Sequence, residues 1–181
     1  MSQVTTLDGL RLNMPVGWWV WKYDDSAFHR NQFQNFAGGS KAVDAVALAM
    51  DDTLWLIEIK DYRRHRRSKP ASVFVEVAEK VRATLAGLAT ARTRASDQDE
   101  RNRAAQAMRC GRIRVALQLA QPVKPSRLFP QVVDPVDAEM QLRRAVRAID
   151  PHALCATGSI DDHRLPWRSA TMPASGKGVK G

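Results

Sequence analysis

No run of apolar residues approaches the length of about 20 that a helix needs to cross a bilayer, so a membrane span is not expected. The opening stretch, MSQVTTLDGLRLNMP, lacks the basic-then-apolar pattern of a secretory signal. Cysteine is scarce. Cys110 and Cys155 have neither metal nor redox spacing, which fits a cytoplasmic chain with two incidental, reduced thiols. His29, His65, His152 and His163 are too scattered for a zinc site. Phosphate loops, dinucleotide-binding fingerprints and serine-hydrolase motifs are absent, and so is any internal repeat. No glutamate precedes Glu58.

What is abundant is positive charge. Lysine plus arginine number 28 against 19 acids, a net charge of +9 over 181 residues. Such a balance favours polyanionic partners, nucleic acid first. Hydrophobic residues make up 44%, enough to build a core. The length suits one domain, assigned to residues 1–168. From Ser169 the sequence SATMPASGKGVKG has no large apolar residue except Met172 and Val179, so 169–181 is expected to be a flexible tail.

Residues 1–15 read as an extended lead-in, and the aromatic VGWWVWKYD (16–24) as a strand. The three tryptophans there could stack on bases, but core packing is the stronger expectation. After a turn-like segment closed by Gly38-Gly39, KAVDAVALA (41–49) and TLWLIEIKD (53–61) read as a hairpin around Asp51-Asp52. Apolar residues at three- and four-residue spacing, from Phe74 to Leu88, predict a helix over 71–94, with Pro70 just ahead of it. A polar break, SDQDERN, precedes a second helical piece over 101–110. GRIRVALQLAQP then alternates as a strand. Asp134-Pro135 is a helix start, followed by a helix to about Ile149, and ALCATG (153–158) reads as a last strand. The order of strands and helices predicts an α/β fold.

The hairpin carries charges where a core element should not. Strand side chains alternate, so Leu54, Leu56, Glu58 and Lys60 share one face and Trp55, Ile57 and Ile59 the other. Buried charge costs several kcal/mol unless it is paired or binds a metal. Asp44 opens the partner strand, and register decides whether it meets Glu58. A two-residue loop at 51–52 would put residue 45 opposite 58 and send Asp44 to the other face. A three-residue loop over 50–52 puts 44 opposite 58, and one over 51–53 puts it opposite 60. A site therefore requires an odd loop or a bulge. If the residues meet, two carboxylates and the Ile59 backbone carbonyl offer hard oxygen ligands to Mg²⁺ or Mn²⁺, with Lys60 beside them. Such an ion activates water for attack on phosphorus. Lys60 could position or deprotonate that water, or neutralise developing charge.

Asp44, the turn, Glu58-Ile59-Lys60 closing an apolar strand, then an amphipathic helix and another strand, together resemble the core of the PD-(D/E)xK nuclease superfamily, over roughly residues 16–120. The resemblance implies a restriction-endonuclease-like mixed central sheet flanked by helices. It implies Asp44 and Glu58 as metal-binding acids and Lys60 as the catalytic lysine, acting with Mg²⁺ or Mn²⁺ in DNA phosphodiester hydrolysis. Val43 stands where the nominal pattern has proline. The family's upstream helix glutamate has no counterpart. Asp24 or Asp25 could stand in, with His29 and Gln32 as weaker candidates. No glutamine-plus-tyrosine motif follows the lysine, which leaves an exonuclease-like subgroup unsupported.

Arg63, Arg64, Arg66, Arg67 and Lys69 follow the strand directly, well placed to grip DNA phosphates, with Arg112 and Arg114 as extensions of the patch. Arg143, Arg144 and Arg147 read as a solvent-facing helix surface. The alternative expectation is an inactive nuclease-fold scaffold that binds nucleic acid or a protein partner in a repair or defence system. A homodimer would suit cutting of two strands, although nothing in the sequence marks an interface.

Overall fold

The computed structural model describes residues 4–7, 10–63, 72–121, 127, 133–157 and 162–171. Two short strands, β1 (Val4–Leu7) and β2 (Leu10–Asn13), come first, followed by β3 (Trp19–Trp21), β4 (Ala45–Leu48) and β5 (Thr53–Asp61). Helices α1 (Val73–Arg94) and α2 (Gln98–Ala107) lead into β6 (Arg112–Ala120). Helix α3 (Pro135–Val146), β7 (Leu154–Ala156) and β8 (Arg168–Thr171) complete the order. The result is a mixed α/β structure with two sheets.

The larger sheet runs β3-β4-β5-β6-β7. Its first three strands are antiparallel, whereas β5, β6 and β7 are parallel. Parallel neighbours need long crossovers, supplied by α1 with α2 and then by α3. Central β5 is covered on both faces, which explains its unbroken apolar run. Leu54 and Leu56 join Val46, Leu117, Val77 and Leu88 in the core beneath the helices. Trp55, Ile57 and Ile59 face a second core, where Leu10, Leu12 and Trp167 pack. The molecule is thus layered as helices, five-stranded sheet and a small three-stranded sheet, β1-β2-β8.

That small sheet bears on two expectations. The extended lead-in is paired on itself as a β-hairpin, a partner not expected from the sequence. Ser169–Thr171 belongs to β8, paired antiparallel with β2, and buried Ser169 accepts from Gln118 Nε2 at 2.9 Å, so the chain is ordered past the expected boundary of the tail. Residues 172–181 lie outside the described residues. Another correction concerns SDQDERN: Asp97 caps α2 by accepting from the Glu100 amide at 2.9 Å, so the supposed break is the first turn of that helix.

Other local expectations agree with the structure. Ser72 caps α1, accepting from the Phe74 amide, and Asp134 caps α3 with Pro135 in the first turn. The tryptophans pack: Trp21 meets Tyr23 edge-on at 5.0 Å between centroids, and Trp18 stacks with Trp55 at 6.3 Å. Both cysteines are free thiols. Among the described residues no helix is long and apolar enough to cross a membrane.

Candidate functional site

The hairpin turn decides the geometry. The β4–β5 ladder pairs Ala45 with Ile57 and Leu48 with Leu54, and the Ala49 amide donates to the Thr53 carbonyl at 2.9 Å. The loop is therefore the odd one, Met50 to Asp52. Asp52 takes a positive φ of 57°, as the αL position of a three-residue hairpin loop requires. Continued one step beyond the ladder, this register puts Asp44 opposite Glu58, on the helix-facing side.

The side chains then meet. Asp44 Oδ2 accepts from the Ile59 amide at 2.7 Å. Glu58, fully buried, receives the Lys60 ammonium at 2.5 Å on Oε1. Two further groups come from α1. Lys80 Nζ lies 2.6 Å from the same Glu58 oxygen and 3.6 Å from Asp44 Oδ1, and Glu76 Oε1 lies 3.5 Å from Lys60 Nζ. Because one nitrogen reaches both acids, the Asp44 and Glu58 oxygens are no farther apart than those two lengths combined. Thr84, one turn beyond Lys80, accepts from the Val43 amide at 3.0 Å and ties the start of β4 to the helix.

Electrostatics follows from this crowding. Burial works to lower the Lys60 pKa, but the Glu58 charge and hydrogen bond, with Asp44 and Glu76 behind them, outweigh it and hold the ammonium above its ordinary value. Lys60 is therefore a fixed cation in this arrangement. Asp24 is pushed up to about 6 by burial and by the nearby charges of Asp44 and Asp25, against Lys22 and Lys80. One of its oxygens, Oδ1, is buried without a hydrogen-bond partner, and so is Glu58 Oε2. His29 sits buried beside Tyr23, its pKa lowered by burial and then by Lys80.

A cleft of about 1070 Å³ lies between the outer face of α1 and the segment from Phe33 to Ala42. Asp24, His29, Glu76 and Lys80 form part of its wall; Asp44, Glu58 and Lys60 do not. The near wall begins in a π-helical turn, His29–Phe33. Glu100 of α2 holds the start of that segment, accepting from the Ala27 and Phe28 amides at 2.7 and 2.9 Å.

Of the residues singled out in the sequence, Asp44, Glu58 and Lys60 converge, and Ile59 contributes its backbone to the same corner. Asp24 lies close enough for the Asp44 charge to raise its pKa and the Lys80 charge to lower it. Asp25 does not; it is exposed and pairs with Lys22 at 2.9 Å. Gln32 donates weakly to Ser96 Oγ at the surface, 3.4 Å away. Arg63 folds back onto Asp61 as a two-point ion pair. Arg64, Arg66, Arg67 and Lys69 lie outside the described residues. Arg112 and Arg114 do not extend the patch. Parallel pairing sets Arg112 beside Thr53 and Leu119 beside Lys60, so both arginines occupy the far end of the sheet. There Arg112 binds Asp51, while Arg114 binds Asp150 and lies over the Trp55 ring.

Glu76 and Lys80 escaped the sequence reading. Their signal was present: they stand four apart on the face that also buries Val73, Val77, Thr84 and Leu88. A charged pair inside a buried helical stripe is itself a sign that something across from it is charged.

Whether the corner suits a divalent ion can be judged from its donors. Two carboxylates already share one cation, and Glu58 keeps an acceptor oxygen with no donor. Mg²⁺ is commonly held by one or two carboxylates plus waters, so this donor set fits. Among the described residues, however, no group of three or more His, Cys, Asp or Glu side chains is placed to hold a metal ion.

No protein-family model and no solved structure matches the chain. A stretch of 112 residues is 37% identical to part of a cysteine–tRNA ligase from Neisseria meningitidis serogroup A, covering 58% of this chain and 16% of that protein.

Proposed function

We propose that this chain is a metal-dependent nuclease of the PD-(D/E)xK kind that hydrolyses DNA phosphodiester bonds. The observation that carries the reading is the hairpin register, which sets Asp44 against Glu58 and Lys60 at the end of the central strand. The mixed sheet, in which β5 pairs antiparallel with β4 on one side and parallel with β6 on the other, supports this reading. The positive net charge and the run from Arg63 to Lys69 suit a phosphate-rich substrate.

In this reading Asp44 and Glu58 hold Mg²⁺ or Mn²⁺ together with the Ile59 carbonyl. A strand residue directs its amide and carbonyl to the same edge, and the Ile59 amide already donates to Asp44. The ion would polarise the phosphoryl oxygen and supply an acidified water. Lys60, beside Glu58 at the end of the strand, orients that water and offsets charge developing on phosphorus. Asp24 adds a carboxylate at the mouth, in place of the missing upstream glutamate. The cleft between α1 and residues 33–42 admits the backbone, and the basic run holds flanking phosphates.

A second reading has its own observation. The Lys80 ammonium stands between the two acids, so the cluster partly neutralises itself, as a scaffold without catalysis would be content to do. The similarity to a cysteine–tRNA ligase covers too little of that protein to bring its activity here. It does justify including tRNA among the substrates tried.

The test incubates the protein with supercoiled, linear duplex and single-stranded DNA and with tRNA, in Mg²⁺, in Mn²⁺ and in chelator. Divalent-dependent nicking of DNA, absent in Asp44→Ala with DNA binding retained, supports the nuclease. Binding without cutting of any form favours the scaffold. Cutting of tRNA alone would move the substrate class to RNA.

A further inference from the structure

We infer that Lys80 is a built-in counter-ion that occupies the divalent-cation position between Asp44 and Glu58, and that it leaves for the cleft when the cation binds. The inference rests on the metal-site reading above and assigns a role to a residue outside the Asp44–Glu58–Lys60 motif.

Three observations converge. The first is position: one ammonium reaches an oxygen of each acid, at 2.6 and 3.6 Å, as a shared cation does. The second is charge. Asp24, Asp44, Glu58 and Glu76 bring four carboxylates to this corner, and Lys22, Lys60 and Lys80 act on them. The corner is rich in acid, and buried Glu58 still has an oxygen without a donor. The third is access. Of Lys80 and the two acids it bridges, Lys80 is the one that lines the cleft, alongside Asp24 and Glu76. A lysine head on a four-carbon stem can swing into the cleft while its methylenes stay packed. Glu58, anchored on the central strand, has no such freedom.

The exchange makes and breaks no covalent bond. The ammonium regains its hydration in the cleft, and the divalent ion takes the two carboxylates. A tethered monocation therefore competes with the ion, and removing it should tighten binding.

The experiment measures Mn²⁺ binding to the full chain by calorimetry for wild type, Lys80→Met and Asp44→Asn. Methionine keeps most of the stem volume without the charge. The expected result is affinity about tenfold or more higher in Lys80→Met, the effect of deleting one competing charge at contact range, and no binding in Asp44→Asn. Equal affinity in wild type and Lys80→Met, with loss in Asp44→Asn, overturns the counter-ion role and leaves the metal site standing. No binding to wild type or to Lys80→Met overturns both. Should Lys80→Met fail to fold, wild type alone decides: saturating Mn²⁺ should raise acylation of Lys80 severalfold, with exposed Lys22 unchanged as the control. Unchanged Lys80 labelling at saturation overturns the inference.

Discussion

At Gly87 the helix packs tightly against Tyr23 and Phe33, and Gly87→Ala tests that approach. A β-carbon at 87 would overlap the Tyr23 hydroxyl oxygen, with Tyr23 Cζ and Phe33 Cδ1 each 3.3 Å away. Gly87 stands two turns beyond Lys80 on the same face of α1, so this contact sets how closely the helix lies over Glu58. In an unconstrained helix, alanine for glycine stabilises by about 1 kcal/mol. Overpacking a filled core costs about 1–3 kcal/mol, so the net effect of the substitution is a loss of up to about 2 kcal/mol. Tyr23→Phe removes the obstructing oxygen. That hydroxyl is buried without a hydrogen-bond partner, so its removal alone is neutral or slightly stabilising. The remaining 3.3 Å contacts need shifts of only a few tenths of an ångström. In the double variant the helix-propensity gain should reappear, giving a coupling of about 1–3 kcal/mol. Urea denaturation of the four proteins measures it. A coupling below about 0.5 kcal/mol, or a Gly87→Ala variant more stable than wild type, would refute the close approach.

Two further perturbations probe the walls of the cleft. Asp24 has its folded-state pKa raised to about 6, so its protonated form favours the folded chain; the stability it lends is complete below its unfolded pKa and is lost as pH rises through 6. Asp24→Asn should therefore stabilise at pH 7 by on the order of 1–2 kcal/mol, after discounting for partial exposure, and the gain should vanish near pH 4; a difference independent of pH in chemical denaturation would contradict this. Glu100→Ala leaves the Ala27 and Phe28 amides without their carboxylate and should cost about 1–3 kcal/mol. Hydrogen exchange at those two amides should accelerate well ahead of exchange in β5, and unchanged protection there would sink the idea that Glu100 holds the wall.

The legible part of the site was the part encoded locally. Alternation within one strand placed Glu58 beside Lys60, and counting the turn gave the condition for Asp44, which the loop from Met50 to Asp52 meets. Glu76 and Lys80 were hidden because a helix read for its apolar stripe treats neighbouring charges as solvent-facing. Their burial follows from what β5 presents to them, and that is non-local information. The small sheet escaped for the same reason. β8 is four residues long, RSAT, with little apolar character, and its partner β2 lies at the other end of the chain. Arg112 and Arg114 had the right alternation but the wrong end of the sheet, which only the parallel pairing of β5 with β6 reveals. The onset of α2 was misplaced because a capping aspartate followed by acids looks like a polar loop until the helix beyond it is recognised.

The most direct test of the central claim is single-turnover nicking of supercoiled DNA in Mn²⁺ by wild type and Lys60→Ala, compared at equal DNA occupancy. The account predicts nicking by wild type and a rate at least about 10²-fold lower for the variant, since the cation that orients water and offsets phosphorus charge is gone. Equal rates in the two proteins would contradict it.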